Sequence, residues 1–309
     1  MPDFLLRAMT DADRDAVASL IFQSINAWYQ AAGKGPRFPA GPTSTCLFPD
    51  VYEAIDPGCC IVAEDPATHR LAGSCFYHPR PTHISLGIMN ALPDYFGQGV
   101  ARKLLRFITD LADAKKLPLR LVSSAMNLDS FSLYTQAGFV PRAVFHDMVL
   151  EAPPQGLAVP VPQESTVRDA RLDDVPAMAA LELELCHIRR DSDFRYFIEN
   201  REGIWHMSVI ENRAGEIDGF LVSVHHPASH MLGPGVMRTD DDALALIAAE
   251  LNYHRGRKPV FIVPADRPNL VRSLYGLGAK NIEIHLCQVR GEFKGFSGVA
   301  MPTFMPETG

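Results

Sequence analysis

Two short stretches of the chain carry residue types whose spacing could do chemistry. The first reads Pro93-Asp-Tyr95-Phe96-Gly97-Gln98-Gly99-Val100-Ala101-Arg102. It follows an apolar, alternating run over residues 84–92. It opens a run in which Val100, Leu104, Phe107, Ile108 and Leu111 share one helical face, so a strand feeds a glycine loop and the loop feeds a helix. Gly97 and Gly99 carry no Cβ and let the backbone come close to a ligand. The amides of the first helical turn have no partner within the helix and lie at the positive end of its dipole. That combination suits a phosphate or pyrophosphate. The stretch is not a P-loop, because no Gly-Lys-Ser/Thr follows, and a dinucleotide fingerprint would need glycine at Arg102.

The second stretch is Asn127-Leu-Asp-Ser130-Phe-Ser-Leu-Tyr134-Thr-Gln-Ala-Gly138-Phe139, after a short apolar run over residues 119–123. Asn127 reads equally as a helix cap and as a ligand contact. The Tyr134 phenol, with an ordinary pKa near ~10, can donate a proton to a leaving group or can simply pack its helix on a sheet.

Together these stretches resemble the GNAT superfamily of acetyl-CoA-dependent N-acetyltransferases. The family's first motif is Gln/Arg-x-x-Gly-x-Gly/Ala, usually after Pro-x-Tyr; Pro93, Tyr95, Gly99 and Ala101 match it, and Phe96 departs from it at the Gln/Arg position. The second motif, Asn with Tyr seven residues on and then Gly-Phe, is matched by Asn127, Tyr134, Gly138 and Phe139. The resemblance covers roughly residues 3–150. It implies an α/β (α+β) fold, a mixed and mostly antiparallel sheet with helices on both faces. It further implies acetyl-CoA as cosubstrate, held by backbone at Asn90, Ala91 and Leu92, by Gly97, Gln98, Gly99, Val100, Ala101 and Arg102, and by Asn127 and Ser130. Tyr134 would be the general acid, and the acceptor an amine of a small molecule or protein.

Acyl transfer to an amine also needs a base, because the attacking nitrogen must be neutral. Many relatives place a glutamate on the strand before the cradle, but residues 84–92 contain no carboxylate. Glu64 and His83 are the options, with His78 behind them. Trp28, Tyr29, Phe38 and Phe48 could line an acceptor pocket or form a core cluster at a helix end.

Composition narrows the class. A chain of 309 residues, 47% hydrophobic and 21% charged, has the make-up of a globular protein and the length of two domains. A formal net charge of −7 without a basic block argues against a nucleic-acid partner. No apolar run is long enough to span a bilayer, and residues 1–11 do not read as a signal peptide, so the expectation is a cytoplasmic protein without membrane contact. Six scattered cysteines are expected to be reduced. His225-His226 lacks a second ligand pair nearby, so no metal is expected. Nothing specifies the oligomeric state or which amine accepts.

The chain also repeats itself. Residues 151–165, with four prolines, form a linker. Beyond it, Arg168, Asp174, Ala177 and Leu181 follow Arg7, Asp13, Ala16 and Leu20 at a constant spacing of 161. Residues 259–263 follow 118–122 at a spacing of 141, as Ser273-Leu-Tyr275 follows Ser132-Leu-Tyr134. Two tandem domains of one fold are expected, over residues 1–150 and 166–309. The same spacing sets residues 237–242 against 96–101, placing Asp240, Asp241 and Asp242 where the first half has its cradle. The second half is therefore expected to keep the fold and lack the cofactor. An alternative to catalysis is an acyl-CoA sensor without turnover. In the first half, strands are expected at 3–8, 60–64, 71–78, 84–92, 119–124 and 139–150. Helices are expected at 11–31, 129–137 and after the cradle. A variable stretch spans 33–49, and the run 298–309 is expected to add an edge strand, cover an apolar patch or fray.

Overall fold

The structure, a computed structural model, describes residues 3–305 and the backbone of 307 and 308. In chain order the first half contributes β1 (Leu5–Ala8), α1 (Arg14–Ala31), α2 (Leu47–Ile55), β2 (Cys60–Glu64), β3 (Leu71–Pro79), β4 (Ile84–Ala91), α3 (Val100–Lys115), β5 (Leu119–Ser124), α4 (Leu128–Gln136) and β6 (Val140–Val149). The second half contributes β7 (Thr166–Asp169), α5 (Val175–Cys186), α6 (Asp191–Glu199), β8 (Trp205–Glu211), β9 (Ile217–His226), β10 (Ser229–Met237), α7 (Asp240–Tyr253), β11 (Val260–Pro264), α8 (Pro268–Gly276) and β12 (Lys280–Arg290). Three short strands follow: β13 (Val299–Met301), β14 (Thr303–Phe304) and β15 (Glu307–Thr308).

Each half is a mostly antiparallel sheet with one parallel pair, β4 with β5 and β10 with β11. Strand alternation sends side chains to two cores. Cys60 and Val62 of β2 join Val17, Ile21, Phe48 and Val51 of α1 and α2 on one face. Ile61 and Ala63 join Leu104, Ile108 and Tyr134 of α3 and α4 on the other. Phe38 and Phe48 belong to the first of these cores and meet edge to face, so they are packing residues. The stretch 33–49 is more ordered than its glycine and proline content implies. A 3-10 turn, Pro42–Cys46, leads into α2, whose buried Leu47, Phe48, Val51 and Tyr52 recur at helical spacing.

The repeat is physical. Arg7 forks to Asp13 and Glu64, and Arg168 makes the same fork to Asp174 and Glu211. The halves are not closed units, however, as consecutive domains in sequence would be. The sheet order is β1-β2-β3-β4-β5-β12-β6-β11-β10-β9-β8-β7. The last strand of each half has crossed over: β12 pairs with β5, and β6 pairs with β11. One sheet therefore runs through the molecule, and one core holds residues of α1 and α2 together with those of α5 and α6. The linker partly docks on the second half, with Ala152 N donating to Arg257 O and Leu157 N to Asn252 Oδ1. Among the described residues no helix is long and apolar enough to cross a membrane, and all six cysteines are free.

Register corrects the sequence repeat at one place. Phe139 N donates to Tyr134 O at the end of α4, and Ala279 N donates to Leu274 O at the end of α8. The residue opposite Tyr134 is therefore Leu274, not Tyr275. β11 is one residue shorter than β5, which shifts everything after it. Tyr134 is buried, whereas Tyr275 is 45% exposed.

Candidate active site

The parallel pair β4–β5 is joined only at its start, Ile84 to Leu119 and Ser85 to Arg120. Beyond Ser85 the strands splay. On its other edge β4 stays paired with β3, Met89 to Cys75, Asn90 to Ser74 and Ala91 to Gly73. Peptide groups on the open edge are thus presented to a wedge-shaped gap, and Asn90 Nδ2 is buried without a partner. Where β4 ends, Leu92 leads into a 3-10 turn, Pro93–Tyr95, pinned by the Tyr95 hydroxyl donating to Asp65 Oδ2 at 3.0 Å. The chain then passes Gly97 and Gly99, both in the left-handed region at φ of 75° and 87°, which side chains disfavour. Gly99 is the N-cap of α3 and offers no side-chain cap. The amides of Val100, Ala101 and Arg102 are left for an external acceptor. Gln98 turns its amide back to Asp94 O. Phe96 is 56% exposed, at the place where the motif has a polar side chain.

Beside this cradle a cleft of about 290 Å³ runs between α3 and α4, lined by Arg102, Arg106, Leu133 and Gln136. Tyr134 sits in the core under α4, its ring 5.7 Å from that of Phe139. Asn127 caps α4, accepting from Ser130 N at 3.1 Å. The Ser130 amide is spent on this cap.

Two family models match the chain: "Acetyltransferase (GNAT) family" over residues 22–139 and "Acetyltransferase (GNAT) domain" over residues 178–292. The chain is a tandem GNAT protein. Solved structures of the same fold include a putative acetyltransferase from Pyrococcus horikoshii, 13% identical with a TM-score of 0.76, covering 100% of this chain and 97% of that one. A GCN5-related N-acetyltransferase from Sphaerobacter thermophilus is 20% identical with a TM-score of 0.65, covering 96% and 98%. A tandem GNAT protein from the clavulanic acid biosynthesis pathway is 16% identical with a TM-score of 0.61, covering 94% and 99%. No curated protein matches in sequence. Family and fold are those of acyltransferases.

The second GNAT domain has the same splay, β10 meeting β11 only at Met231–Val260 and Leu232–Phe261, but its gap is filled. β13 lies in it, pairing antiparallel with β10 from Gly235–Met301 to Met237–Val299 and packing on β11. Residues 299–301 thus supply an inner strand where an edge strand was expected, Phe304 beyond them packs against the core as the expected cover, and residues 306 and 309 of the run lie outside the described residues. The cradle is missing too. Ala91 and Met237 hold equivalent places, opposite Gly73 and Gly219 in their sheets. Seven residues separate Ala91 from the α3 cap at Gly99, but only Arg238 lies between Met237 and the α7 cap at Thr239. The aspartates therefore do not replace the glycines in place; the loop is shortened and the helix capped by its own residues. Thr239 Oγ1 accepts from Asp242 N, and Asp242 Oδ2 accepts from Thr239 N, a closed capping box.

Both base options are engaged elsewhere in the structure. Glu64 is held by His69 at 3.0 Å and by Arg7 at 2.9 Å, contacts that keep its carboxyl below the ordinary range. Glu211 makes the same arginine contact in the second domain, so the role is structural. His83 is fully buried at the closed end of the wedge, bonded to Thr82 and Ser85. From there to Asn90 a strand rises about 3.3 Å per residue, more than ~20 Å in all. Burial also holds its pKa well below the usual histidine value. His78 is bonded to Asp56 at 2.7 Å.

Sequence reading missed two clusters that folding assembles. On the α1 face, Asp147 of β6 and Glu283 and His285 of the exchanged β12 come together, each about 95% buried. His285 pairs across from Ser124 at the open end of β5. Lys34 Nζ reaches Glu283 Oε1 at 2.6 Å, and burial with the nearby Glu283 raises the Asp147 pKa to about 7. No motif signals this cluster, because its members come from two halves of the chain. The second is His225, His230 and His254, with His230 Nε2 3.3 Å from His254 Nδ1. The partners His225 lacks in sequence arrive across the β9–β10 hairpin and from the end of α7. Burial keeps all three pKa values low, His230 at about 4 and His254 at about 3.

Proposed function

We propose that the first GNAT domain transfers an acetyl or other short acyl group from its CoA thioester to an amine, and that the second domain binds no cofactor. The observation that carries this reading is the wedge of β4 and β5, which β15 approaches without pairing to either strand, running into an uncapped, glycine-led helix, beside a second wedge into which the protein has paired its own β13. A strand-like pantetheine arm would bond to the free edge at Asn90 and Ala91 as β13 bonds to β10, whereas the Leu92 amide is spent on Ala72 O. The amides of Val100, Ala101 and Arg102 suit the pyrophosphate, and the cleft holding Arg102 and Arg106 suits further phosphate.

The thioester supplies the activated acyl group. The chain supplies position and protons. Edge amides of β4 polarise the carbonyl oxygen, which costs no reorganisation because the strand is already fixed by β3. Tyr134 protonates the departing thiolate. Its counterpart by register is Leu274, so the phenol is present only in the half that keeps the cradle. A buried tyrosine needed only for packing would be expected in both.

Calorimetric titration with acetyl-CoA, followed by thiol release against a panel of amines, tests the reading. One equivalent bound and thiol released in the presence of an amine are expected. Phe96 in the first motif favours a second reading, a sensor that binds acyl-CoA without turnover; binding with no thiol release across the panel would select it. No stabilisation against heat at millimolar cofactor would remove both.

A further inference from the structure

We propose that Asp147, Glu283 and His285 are the acceptor site of the first domain, and that the acceptor is a cationic primary amine held by this two-strand cluster. The inference rests on the acyl transfer proposed above and names where the amine sits. β5 forms one wall of the wedge, and β12 and β6 are the next strands beyond it. His285 faces Ser124 across the sheet, and Glu283 faces Asp147. The cluster therefore lies beside the mouth of the wedge, on the face opposite α3 and α4, so an amine there would approach a thioester entering from the cradle side.

Next comes unmet demand. Asp147 Oδ1, Glu283 Oε2 and His285 Nδ1 are all buried without a hydrogen-bond partner. The contacts of His285 to Asp147 and Glu283, at 3.7 Å and 3.5 Å, are too long to be hydrogen bonds. Orphaned acceptors at this depth are rare and call for a donor. A primary ammonium carries three N–H donors and one positive charge. One alkylammonium is already present, since Lys34 Nζ bonds Glu283 Oε1. The surroundings fit a cation as well: the Tyr29 ring lies 5.7 Å from Lys34 Nζ, and the Phe304 ring packs 4.7 Å from His285. A divalent metal would also satisfy one histidine and two carboxylates. Lys34 already spends one Glu283 oxygen, which leaves a metal a poorer ligand set, and the zinc arm of the test below separates the two.

The groups facing Asp147 are Glu283 and His285 from β12, Tyr29 from α1, and Lys34 and Arg37 after it. Burial first, then Glu283, lifts the Asp147 pKa to about 7, so its carboxylate is a better base than a surface aspartate at neutral pH. The acceptor ammonium gives one proton to the Asp147 carboxylate. The neutral nitrogen forms the C–N bond as the C–S bond breaks. The Tyr134 hydroxyl protonates the leaving thiolate and recovers a proton from the nitrogen, leaving amide and thiol; Asp147 then returns its proton to water. Phe304 covers the cluster from the β14 side.

The test uses the full chain saturated with acetyl-CoA, whose affinity is first measured by calorimetry. The probes are n-butylamine, 1,4-diaminobutane and glucosamine, with 1,4-butanediol as the uncharged control. At least one amine should raise the unfolding temperature and drive thiol release, and the diol should do neither. Asp147→Asn and Glu283→Gln should each raise KM for that amine about ten- to a hundredfold, the loss of one charged hydrogen bond, while acetyl-CoA affinity stays unchanged. Asp147→Asn should also abolish the rise of kcat/KM through about pH 7. Equal KM in wild type and both variants overturns the inference. So does stabilisation by zinc chloride alone that Asp147→Asn removes, because the cluster would then be a metal site. Normal acetyl-CoA binding with no response to any amine sinks the acceptor site but not cofactor binding, and failure to bind acetyl-CoA sinks the reading beneath it as well.

Discussion

Tyr134 and Asp147 carry the two side-chain roles proposed above. Tyr134→Phe keeps the ring against Phe139 and removes only the hydroxyl. Turnover should fall by about one to three orders of magnitude, the span of general acid catalysis, while the acetyl-CoA dissociation constant holds within about twofold; unchanged turnover in a folded variant would return the residue to packing. Asp147 makes a prediction about stability. Its carboxyl holds a proton up to about pH 7 in the folded chain and only to the usual 3.8 once unfolded. The folded state therefore binds more protons between these values, and stability falls as pH rises from about 4 to 7. Asp147→Asn escapes that penalty. It should melt above wild type at pH 8, with a gap that narrows at pH 5, while losing activity; a gap independent of pH would show that the carboxylate is not strained. Little at this scale was legible beforehand. The spacing of 141 paired Tyr134 with Tyr275 because a one-residue difference between β5 and β11 is invisible without hydrogen bonds. Glu64 drew notice as a carboxylate near the cradle, but its arginine partner lies 57 residues away in sequence.

At the scale of elements, the same strand-loop-helix passage is built in two ways. In the first domain a loop with two left-handed glycines leaves the start of α3 open; in the second a shortened loop lets Thr239 and Asp242 close the start of α7. Gly99→Asp should weaken acetyl-CoA binding at least tenfold. Aspartate is strained at φ 87°, and its charge beside a pyrophosphate costs about 1 kcal/mol at 4 Å in water and about 4 at an effective dielectric of 20. A folded Gly99→Asp protein with normal affinity would refute the cradle. Asp242→Ala should leave that affinity alone and cost about 0.5–2 kcal/mol of stability through the lost cap, read from denaturant midpoints. Elements of this kind were legible where local rules decide them. The strands at 60–64 and 119–124 and the helix after Gly99 follow from alternation, apolar periodicity and glycine. α2 was hidden because glycines and prolines before it mask a short apolar face. The exchange of β6 and β12 left no trace, since a strand's own sequence alternates identically whichever neighbour it pairs with.

The exchange decides how the whole molecule behaves. β5 finds its neighbour in β12, from the far end of the chain, and β6 spends its other edge on β11. Further contacts cross the same boundary: Arg80 with Asp193 at 2.7 Å, Arg290 with Asp113, and Lys34 with Glu283. A fragment of residues 1–150 would expose the β5 edge and the α1–α2 face of a core it shares with α5 and α6. Exposed strand edges and apolar faces of that size drive aggregation. The covalent linker, by contrast, does little once folding is complete. Beyond Leu157 its contact with the second half is the exposed ion pair of Glu164 with Arg213, and residues 158–164 lie outside every helix and strand. A protease site inserted there and cut after purification should therefore leave one particle. Size-exclusion chromatography should show both pieces co-eluting without denaturant, and calorimetry should still count one acetyl-CoA per pair with unchanged affinity. Residues 1–150 expressed alone should be insoluble or fail to bind. Separation of the nicked halves in buffer, or a monodisperse 1–150 fragment with full affinity, would mean that the exchanged strands do not hold the molecule together.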